Sequence, residues 1–325
     1  MARADDLRLF RERWRSISPE AVDALRADVL AATGEVVSPF GEVGGRQDLR
    51  GLAITSEAMG DVGRLTLGDE TIPSTHGPGR LRRWTGLDFT AAVLSNFNWY
   101  QHEAVSCIFD DANLEHIRCW GVLVEGCSFQ RASLYYGQLG ASAEWWPNRS
   151  IWKNSDFSRA DLRRMSATVR FEQINFGRAK FGPTNFGWSD VVDCEFDGIV
   201  DGLDFGALPV SDAPPRWDLS GVDMTHARPR RVEFRGVNLG NDAVKIALPE
   251  DEEHWRIRDW PGFLHRVADA IVALPDGIDK TTAQIWLEHV AKRTGPQQSE
   301  GFIARWDLDR LGGQRLVEII STARR

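Results

Sequence analysis

Cysteine is scarce in this sequence, with 4 among 325 residues. None of the four forms a Cys-x-x-Cys pair, and no Cys/His spacing is typical of a zinc site. No apolar run approaches the ~20 residues that span a bilayer. The first residues, MARADDLRLFRERW, lack the apolar core and small-residue cleavage site of a signal peptide. We therefore expect a cytoplasmic protein with no membrane contact, no metal and no disulfide framework.

The sequence also lacks any excess of positive charge. Its net charge is −8, which disfavours nucleic acid as a direct ligand. Residues 86–240 carry 20 acidic and 15 basic side chains, and this difference of −5 makes up most of the total. Hydrophobic residues at 42% and charged residues at 26% are ordinary for a globular protein.

Motifs for catalysis are missing as well. There is no P-loop, no Gly-x-Gly-x-x-Gly fingerprint, no nucleophile elbow and no His-Glu-x-x-His pair. The histidines are scattered, and no Ser-His-Asp set can be assembled by inspection. We therefore predict no catalytic residue and no cofactor, and consider an enzyme the less favoured class.

A repeat runs through the middle of the chain, from about Leu87 to Leu239. Apolar residues recur there every five positions, beginning with Phe89, Leu94, Trp99, Ala104, Phe109, Leu114, Cys119, Val124, Phe129, Leu134 and Leu139. A small or apolar residue precedes most of them by two positions. A period of five fits neither an α-helix nor a strand, so the chain must turn a corner in every repeat.

The same residues also repeat with a period of 20, in addition to the period of five. Phe89, Phe109 and Phe129 are 20 apart, and Leu94, Leu114, Leu134 follow in step. Four repeats per coil would stack each set into an inward column, with coils rising by about 4.8 Å. The pattern predicts roughly seven coils with a filled interior, broken at 140–150, near 168–171 and at 206–216.

These residues resemble the pentapeptide-repeat family, whose consensus is A(D/N)LXX. The matching stretches are DANLEH, RASLYY, RADLRR, NSDFSR and GVNLGN. The resemblance implies a mainly β fold, a right-handed quadrilateral β-helix, flanked here by helical N- and C-terminal segments. We expect an N-terminal helical segment at 1–45, the β-helix at 46–240 (clear from 87) and a C-terminal helical region at 241–325.

The flanking segments show helix signals. Residues 5–33 read as two helices, with Ser18 as an N-cap, Pro19 at the first helical position and Gly34 as a stop. Further helices are expected at 262–274, at 280–293 after Asp279, and at 314–323. The C-terminal region would cap the solenoid or form a separate module. The resemblance also implies a homodimer through this region, because many family members dimerise there.

An outward aromatic surface is the most suggestive candidate site. Tyr100 and Trp120 each follow a column residue and lie 20 apart, so they should stack on one outer face. Tyr135 and Tyr136 fall on the adjoining face, and Trp145 and Trp146 lie in the insertion GASAEWWPNRS. We expect such a cluster either to be covered by a terminal helical segment or to bind a partner or ligand.

Three other groups have a structural and a functional interpretation. His102 falls at an inward position beside the aromatic surface, as a buried histidine or as part of a pocket. The four cysteines favour packing, although Cys107 and Cys127 would lie one coil apart. An acidic face is expected from Asp190, Asp193, Glu195 and Asp197. It is either a solvated face or a stripe that imitates the phosphates of DNA.

We hypothesise a non-catalytic, protein-binding solenoid. Some members of the family protect DNA gyrase from quinolones or natural-product inhibitors as acidic, DNA-like rods. The resemblance therefore suggests a topoisomerase such as gyrase as partner, with protection from a toxin or antibiotic as the role. Five arginines clustered at 216–235 and the long C-terminal region depart from that type. The alternatives are a small-molecule-binding or tailoring enzyme with an aromatic groove beside the 140–150 loop, and a plain interaction scaffold.

Overall fold

The structure, a computed structural model, divides into two compact units, Met1–Arg170 and Phe171–Arg325. It describes residues 4–31, 35–54, 82–100, 102–140, 149–206, 218–242, 244–296 and 298–324. Short strands recur through both units, and helices lie at the two ends of the chain. In the described part of the chain, no helix has the length and apolarity to span a membrane.

The first unit begins with two α-helices and a 3-10 helix, followed by short strands. The helices are α1 (Ala4–Glu12), a 3-10 turn (Arg13–Ser16) and α2 (Pro19–Ala31). The strands are β1 (Glu42–Val43), β2 (Arg46–Asp48), β3 (Arg82–Thr85), β4 (Leu87–Asp88), β5 (Asn98–Tyr100), β6 (His102–Val105), β7 (Arg118–Trp120), β8 (Leu123–Glu125), β9 (Gln138–Leu139), β10 (Ser150–Asp156) and β11 (Ser166–Ala167). The division between the units falls within β12 (Val169–Asn175).

Parallel pairing in the first unit follows the period of 20. Strand β6 pairs with β8 so that Ala104 lies opposite Val124, and β5 pairs with β7 so that Trp99 lies opposite Cys119. Between β8 and β10 the offset grows to 28, which pairs Val124 with Trp152. The eight extra residues expected at 140–150 are therefore confirmed as an insertion that leaves the ladder intact.

Four buried columns result from this register. The phenylalanine rings stack nearly parallel, with centroids 5.3, 4.8 and 4.6 Å apart along Phe89, Phe109, Phe129 and Phe157. The leucine column is fully buried at Leu94, Leu114, Leu134 and Leu162. The third column contains Trp84, Ala104, Val124 and Trp152. The fourth contains Trp99, Cys119, Leu139 and Ala167. These contacts confirm the inward columns predicted from Phe89 to Leu162, and they extend two of them to Trp84 and Ala167.

The corners between strands use left-handed backbone. A positive φ recurs two residues after a column residue, as at Ala91, Asn96, Ser106, Asp111, His116, Gly121, Gly126, Arg131 and Tyr136. This conformation costs roughly 1–2 kcal/mol for a residue with a side chain. It recurs because each five-residue repeat must redirect the chain, and backbone hydrogen bonds between coils hold it in place.

The N-terminal helices contact the first coil, where Leu49 and Ile54 are fully buried. Side-chain N–H groups of the helices satisfy carbonyls of that coil. Trp14 Nε1 donates to Arg50 O at 2.8 Å, and Arg26 Nε donates to Ala53 O at 2.8 Å. These bonds supply partners that the end of a ladder lacks. The Ser18 hydroxyl accepts the Ala21 N–H, which confirms the cap, whereas Gly34 lies outside the described residues.

Strands β13–β22 and three helices form the second unit. The strands are β13 (Thr184–Phe186), β14 (Asp190–Val192), β15 (Gly198–Asp201), β16 (Leu203–Phe205), β17 (Val222–Asp223), β18 (Ala227–Arg230), β19 (Glu233–Phe234), β20 (Ile246–Ala247), β21 (His254–Ile257) and β22 (Gly301–Ala304). The helices are α3 (Trp260–Val272), α4 (Ile278–Ala291) and α5 (Arg305–Arg324).

Pairing in this unit is parallel but less regular. The offset is 19 between Thr184 and Leu203 and 29 between Asp204 and Glu233. Phenylalanine still stacks on phenylalanine, as Phe205 on Phe234 at 5.4 Å and 7°. The last parallel pair joins β17 to β20, which lies past residue 240. The domain bounds stated above stay a prediction.

The C-terminal helices pack on an antiparallel hairpin formed by β21 and β22. Their shared core includes Trp255, Trp260, Phe263, Trp286 and Leu308. Helix α4 begins after Gly277 rather than after Asp279, which lies in its first turn. Helix α5 begins nine residues earlier than the expected 314 and is interrupted at Gly313, where φ is 60°.

Candidate functional site

The outward pair on the first unit is Tyr100 and Trp120. Paired strands place them directly opposite each other, with ring centroids 5.1 Å apart. Both side chains are half-buried. Burial raises the pKa of the Tyr100 phenol, against the opposing effect of Arg118. The two rings are therefore neighbours, as the spacing of 20 predicts, with their planes inclined by 42°.

A second cluster surrounds Tyr136, which is 41% exposed. Its ring stacks on His116 at 5.3 Å and 7° and meets Tyr135 edge-on at 4.6 Å. Arg164 lies over the same ring at 5.3 Å, and its Nη1 donates to the phenol oxygen at 2.7 Å. Arg163 lies over Tyr135 at 5.6 Å. We name His116, Tyr135, Tyr136, Arg163 and Arg164 the tyrosine cluster.

His116 and the two arginines were absent from the sequence-based site. His116 lies one regular coil before Tyr136 in the sequence, so the coil period could have found it. Arg164 lies further from Tyr136 than one regular coil, because the insertion at 140–150 falls between them. The period of 20 alone does not bring Arg164 and Tyr136 together, whereas the register shifted by the insertion does.

His102 lies inside the unit, at the inward position that the period predicts. It is 5% exposed, and its ring packs edge-on against Trp84 at 4.2 Å. The Trp99 ring is 5.8 Å away. The structure thus separates His102 from the outward aromatic residues. Trp145 and Trp146, the remaining aromatic candidates, lie outside the described residues.

The four cysteines are buried and not disulfide-bonded. Burial raises the pKa of the Cys119 thiol well above its ordinary value and raises that of Cys194 to about 12. A thiol with such a pKa stays protonated at neutral pH and is a poor nucleophile or metal ligand. These two cysteines therefore act as small apolar side chains. Among the residues described, no cluster of His, Cys, Asp and Glu could hold a metal ion.

The acidic candidates lie on the second unit. Asp193, Glu195 and Asp197 are exposed, since they alternate with buried side chains along an extended stretch. Asp190 is only 7% exposed, and its carboxylate accepts the Asp218 N–H at 2.8 Å. Asp190 is therefore bonded to the backbone of another segment, while the other three face solvent.

Arginines accompany several acidic residues of the same unit. Arg178 lies 3.5 Å from Asp197, Arg231 lies 2.7 Å from Asp201, and Arg235 lies 2.9 Å from Asp204, each measured between nitrogen and carboxylate oxygen. Three carboxylates of the acidic stretch are therefore paired with arginines.

The second unit also contains a cavity of about 590 Å³, a feature that the sequence interpretation missed. Residues from 231–234, from α4 and the turn after it, and from β22 and the start of α5 line it. Most of its lining is apolar, with Phe234, Trp260, Trp286 and Phe302 as the largest side chains. Four tryptophans after residue 254 could have indicated an aromatic-lined site in the C-terminal region.

One wall of this cavity is an ionic network around Glu233. Its Oε2 accepts from Arg235 Nε at 2.7 Å and from Arg293 Nε at 2.6 Å, and its Oε1 lies 3.3 Å from His289 Nε2. Burial opposes ionisation of Glu233, but the two arginines outweigh it and lower the pKa of its carboxyl. The wall is therefore charged but internally paired.

The network fixes the tautomer of His289. Arg293 Nη1 lies 2.9 Å from His289 Nδ1. Because a guanidinium can only donate, Nδ1 must accept, and the proton of a neutral ring sits on Nε2. That proton then points to Glu233 Oε1. His289 thus joins the network as a neutral donor.

These features define a β-solenoid with a period of five, outward aromatic residues and a C-terminal cavity. No family model matches the chain, and no curated protein sequence matches it. Among solved structures, it is similar to full-length QnrB1, a plasmid-mediated fluoroquinolone resistance protein, at 15% identity over 52% of this chain and 84% of that chain, with a TM-score of 0.26.

Two further solved structures are pentapeptide repeat proteins. HetL, involved in heterocyst differentiation regulation in the cyanobacterium Nostoc sp. strain PCC 7120, is 13% identical over 52% of this chain and 84% of that chain, with a TM-score of 0.22. A protein of the Arabidopsis thaliana thylakoid lumen is 14% identical over 49% and 68%, with a TM-score of 0.16. The fold is defined by the strand register and the buried columns.

Proposed function

We propose that this protein is a non-catalytic solenoid that binds a protein partner through the outward aromatic side of its first unit. The carrying observation is the tyrosine cluster, where Tyr136 is 41% exposed yet its ring and hydroxyl are held in place by His116 and Arg164. An ordered tyrosine flanked by arginines resembles the side chains that contribute most to protein interfaces. Ordering before binding lowers the entropic cost of association.

The filled columns of the first unit support a non-catalytic role. Phe109, Leu114 and Cys119 are fully buried, so the stacked interior there holds side chains rather than substrate. We further propose the right-handed four-sided winding of the family and a cytoplasmic location. Four buried columns support the winding, and four cysteines without disulfides suit a reducing compartment.

A topoisomerase such as DNA gyrase is the partner that we propose to test first. The exposed carboxylates Asp193, Glu195 and Asp197 support a DNA-like acidic surface. The pairing of Asp197 with Arg178 weakens this argument, since a mimic of phosphates needs unpaired charge. The aromatic side of the first unit supports protein binding independently of that surface.

The test uses purified gyrase in a supercoiling assay with and without a quinolone. We expect wild-type protein to preserve supercoiling in the presence of the inhibitor, and Tyr136→Ser to require about tenfold more protein. Ile151→Ser, at a 36% exposed position of the same unit, is the matched control. A lack of effect on both gyrase activity and inhibitor sensitivity would overturn the gyrase assignment.

Partner binding itself needs a separate measurement. Crosslinking in cells followed by affinity capture should recover one protein with the wild type, and recovery should fall with Tyr136→Ser but not with Ile151→Ser. Equal recovery by both variants would contradict a role for the tyrosine cluster.

We also propose a homodimer formed through the C-terminal region. Val272 and Ile278 are 76% and 78% exposed there, which is unusual for aliphatic side chains at helix ends. Light scattering should give twice the chain mass of 36.5 kDa. Val272→Asp should return the mass to that of one chain. A wild type of single-chain mass would refute the dimer.

A further inference from the structure

The cavity of the second unit has the size of a small-molecule site. Its volume of about 590 Å³ lies within the range of ligand pockets, and such pockets combine apolar walls with a few placed polar groups. At its rim, Ile285 and Leu311 are 63% and 60% exposed although both are large and apolar. Trp286, deeper in the lining, is 6% exposed. The walls therefore favour an apolar or aromatic body.

Most of the charges around the cavity are paired with one another. Arg231 pairs with Asp201, and Arg235 and Arg293 both pair with Glu233. Asp204 shares Arg235. With His289 as a neutral donor, three guanidinium groups face the three carboxylates Asp201, Asp204 and Glu233. These six groups neutralise one another.

Asp307 is the fourth carboxylate and stands outside this network. Both of its oxygens accept the backbone N–H of Arg231, at 2.9 and 3.0 Å. Within the part of the chain that the structure describes, it has no side-chain ion pair, because the Arg231 guanidinium is directed to Asp201. Arg310, the remaining cation of the lining, is exposed and lies over the Trp306 ring at 5.4 Å.

The environment of Asp307 makes an unpaired charge costly. Burial raises the pKa of its carboxyl to about 6, against the hydrogen bond from Arg231 and with a further contribution from Asp201. The group is therefore mostly ionised at neutral pH, and the Arg231 guanidinium, whose charge favours this ionisation, is hydrogen-bonded to Asp201 instead. A partly buried carboxylate of this kind gains most from a cation that brings its own hydrogen-bond donors.

A polar group elsewhere in the lining can orient a ligand. Gln298 is 7% exposed, and its Oε1 accepts the Gly295 N–H at 3.3 Å. Its Nε2 makes no hydrogen bond to any described residue, so this donor remains for an acceptor atom of a ligand.

We propose that the cavity binds a small organic cation, a molecule with an aromatic or otherwise apolar body and a primary ammonium group that pairs with Asp307. The body lies against the tryptophan and phenylalanine side chains of the lining, where an ammonium group also gains from the ring faces. An acceptor on the ligand would take the free donor of Gln298. This site is independent of the partner surface proposed on the first unit.

The test compares three probes that share one ring system. Titration calorimetry of the full chain near neutral pH uses 1-naphthylmethylamine, 1-naphthalenemethanol and 1-naphthoic acid. We expect the amine to bind at least about tenfold more tightly than the alcohol, as a charge-assisted hydrogen bond predicts. The acid should bind most weakly, since its carboxylate would face Asp307.

Variants assign the effect to Asp307. Asp307→Asn should reduce the affinity for the amine to that for the alcohol and leave the alcohol unchanged. Asp309→Asn is the matched control, because Asp309 lies on the same helix but is exposed and 3.8 Å from Arg305. It should bind all three probes as the wild type does.

A rim variant keeps the test decisive if Asp307→Asn fails to fold. Ile285→Arg adds a positive charge at the mouth of the cavity, at a 63% exposed position, where it would repel the ammonium group of the ligand. It should weaken binding of the amine about tenfold but not binding of the alcohol. Gln284→Arg, at an exposed position on the same helix but outside the lining, should change neither. Equal affinities for the three probes, a preference for the acid, or no binding of any probe would overturn the proposal.

Discussion

Phe129 and Phe157 stack with ring centroids 4.6 Å apart and planes 14° from parallel, although the insertion at 140–150 separates them in the sequence. The two preceding steps of the same column, from Phe89 to Phe109 and from Phe109 to Phe129, each follow the regular coil period. The column therefore continues through the insertion. Register in this solenoid is set by which side chains fill the interior, since a slip by a single position would expose the whole set.

This packing predicts a large cost for truncating the column. Phe157 is 1% exposed and touches both Phe129 and Trp152. Phe157→Ala should lower the free energy of unfolding by about 3–5 kcal/mol, because it removes buried area and leaves a cavity between rigid coils. Urea unfolding measures the change.

The control for this truncation is Ile151→Ala, at a 36% exposed position nearby. It should cost less than about 1 kcal/mol. If Phe157→Ala costs no more than Ile151→Ala, the stacked column contributes little, and backbone pairing between coils carries the stability.

Much of the solenoid could be predicted because its information is local and periodic. Every fifth residue is apolar, so the inward set, including Cys119 and His102, follows from counting. The period of 20 then places Tyr100 beside Trp120 without further knowledge. The insertion could be measured from the displaced motif at Phe157.

The C-terminal region could not be predicted at that level, since its site depends on distant segments. Glu233 meets Arg293 across 60 positions, and Arg231 meets Asp307 across 76. No period relates these residues. The start of α5 was misplaced for a related reason. Gly312 and Gly313 interrupt the helical pattern, so the sequence showed only the part after them.

The corner geometry predicts a cost for adding a side chain at Gly126. Its φ is +61°, and the nearest atom to an added Cβ would be Ser106 Oγ at 3.8 Å. Because there is room, Gly126→Ala tests backbone strain alone and should destabilise the fold by about 1 kcal/mol. Arg159→Gly is the reverse experiment at a φ of 62° and should leave stability unchanged or slightly raised. Thermal unfolding of both variants measures these changes in stability relative to wild type. A Gly126→Ala variant as stable as wild type would contradict backbone strain at the corners.

The contact between the N-terminal helices and the first coil depends on Asp48, which is 2% exposed. Arg13 and Arg50 each donate two hydrogen bonds to its carboxylate. Burial opposes ionisation, but these bonds outweigh it and hold the pKa of the carboxyl well below its ordinary value. Asp48→Asn should cost about 3 kcal/mol, because two partly buried guanidinium groups lose their counter-ion.

The pH dependence distinguishes this ion pair from packing. Since the folded pKa of Asp48 is lowered, its contribution is present above the unfolded value of 3.8 and is lost as pH falls below it. Asp48→Asn should therefore lose more stability at pH 7 than at pH 3. Asp23→Asn, whose 68% exposed carboxylate pairs with Arg26, should cost less than about 1 kcal/mol at either pH. A pH-independent loss for Asp48→Asn would show that shape, not charge, matters there.

Asp307 should show the opposite pH dependence. Burial raises the pKa of its carboxyl from 3.8 to about 6, so the folded state favours the protonated acid. Its contribution to stability is then full below pH 3.8 and is lost as pH rises to 6. Asp307→Asn cannot ionise and so avoids this loss. Each unit by which the folded pKa exceeds the unfolded pKa corresponds to about 1.4 kcal/mol of stability. At pH 7 the variant should exceed wild type by about 1–3 kcal/mol, and near pH 3.5 the two should match.

Urea unfolding of wild type, Asp307→Asn and Asp309→Asn across this pH range makes the comparison. Asp309→Asn should stay within about 0.5 kcal/mol of wild type throughout, because its carboxylate is exposed. An amine that pairs with Asp307 should restore the stability of wild type at pH 7 and leave Asp307→Asn unaffected, since a ligand stabilises only the folded state that binds it. If Asp307→Asn is less stable than wild type at pH 7, the carboxylate already gains from its surroundings. The destabilised carboxylate that motivates a cationic ligand would then be absent.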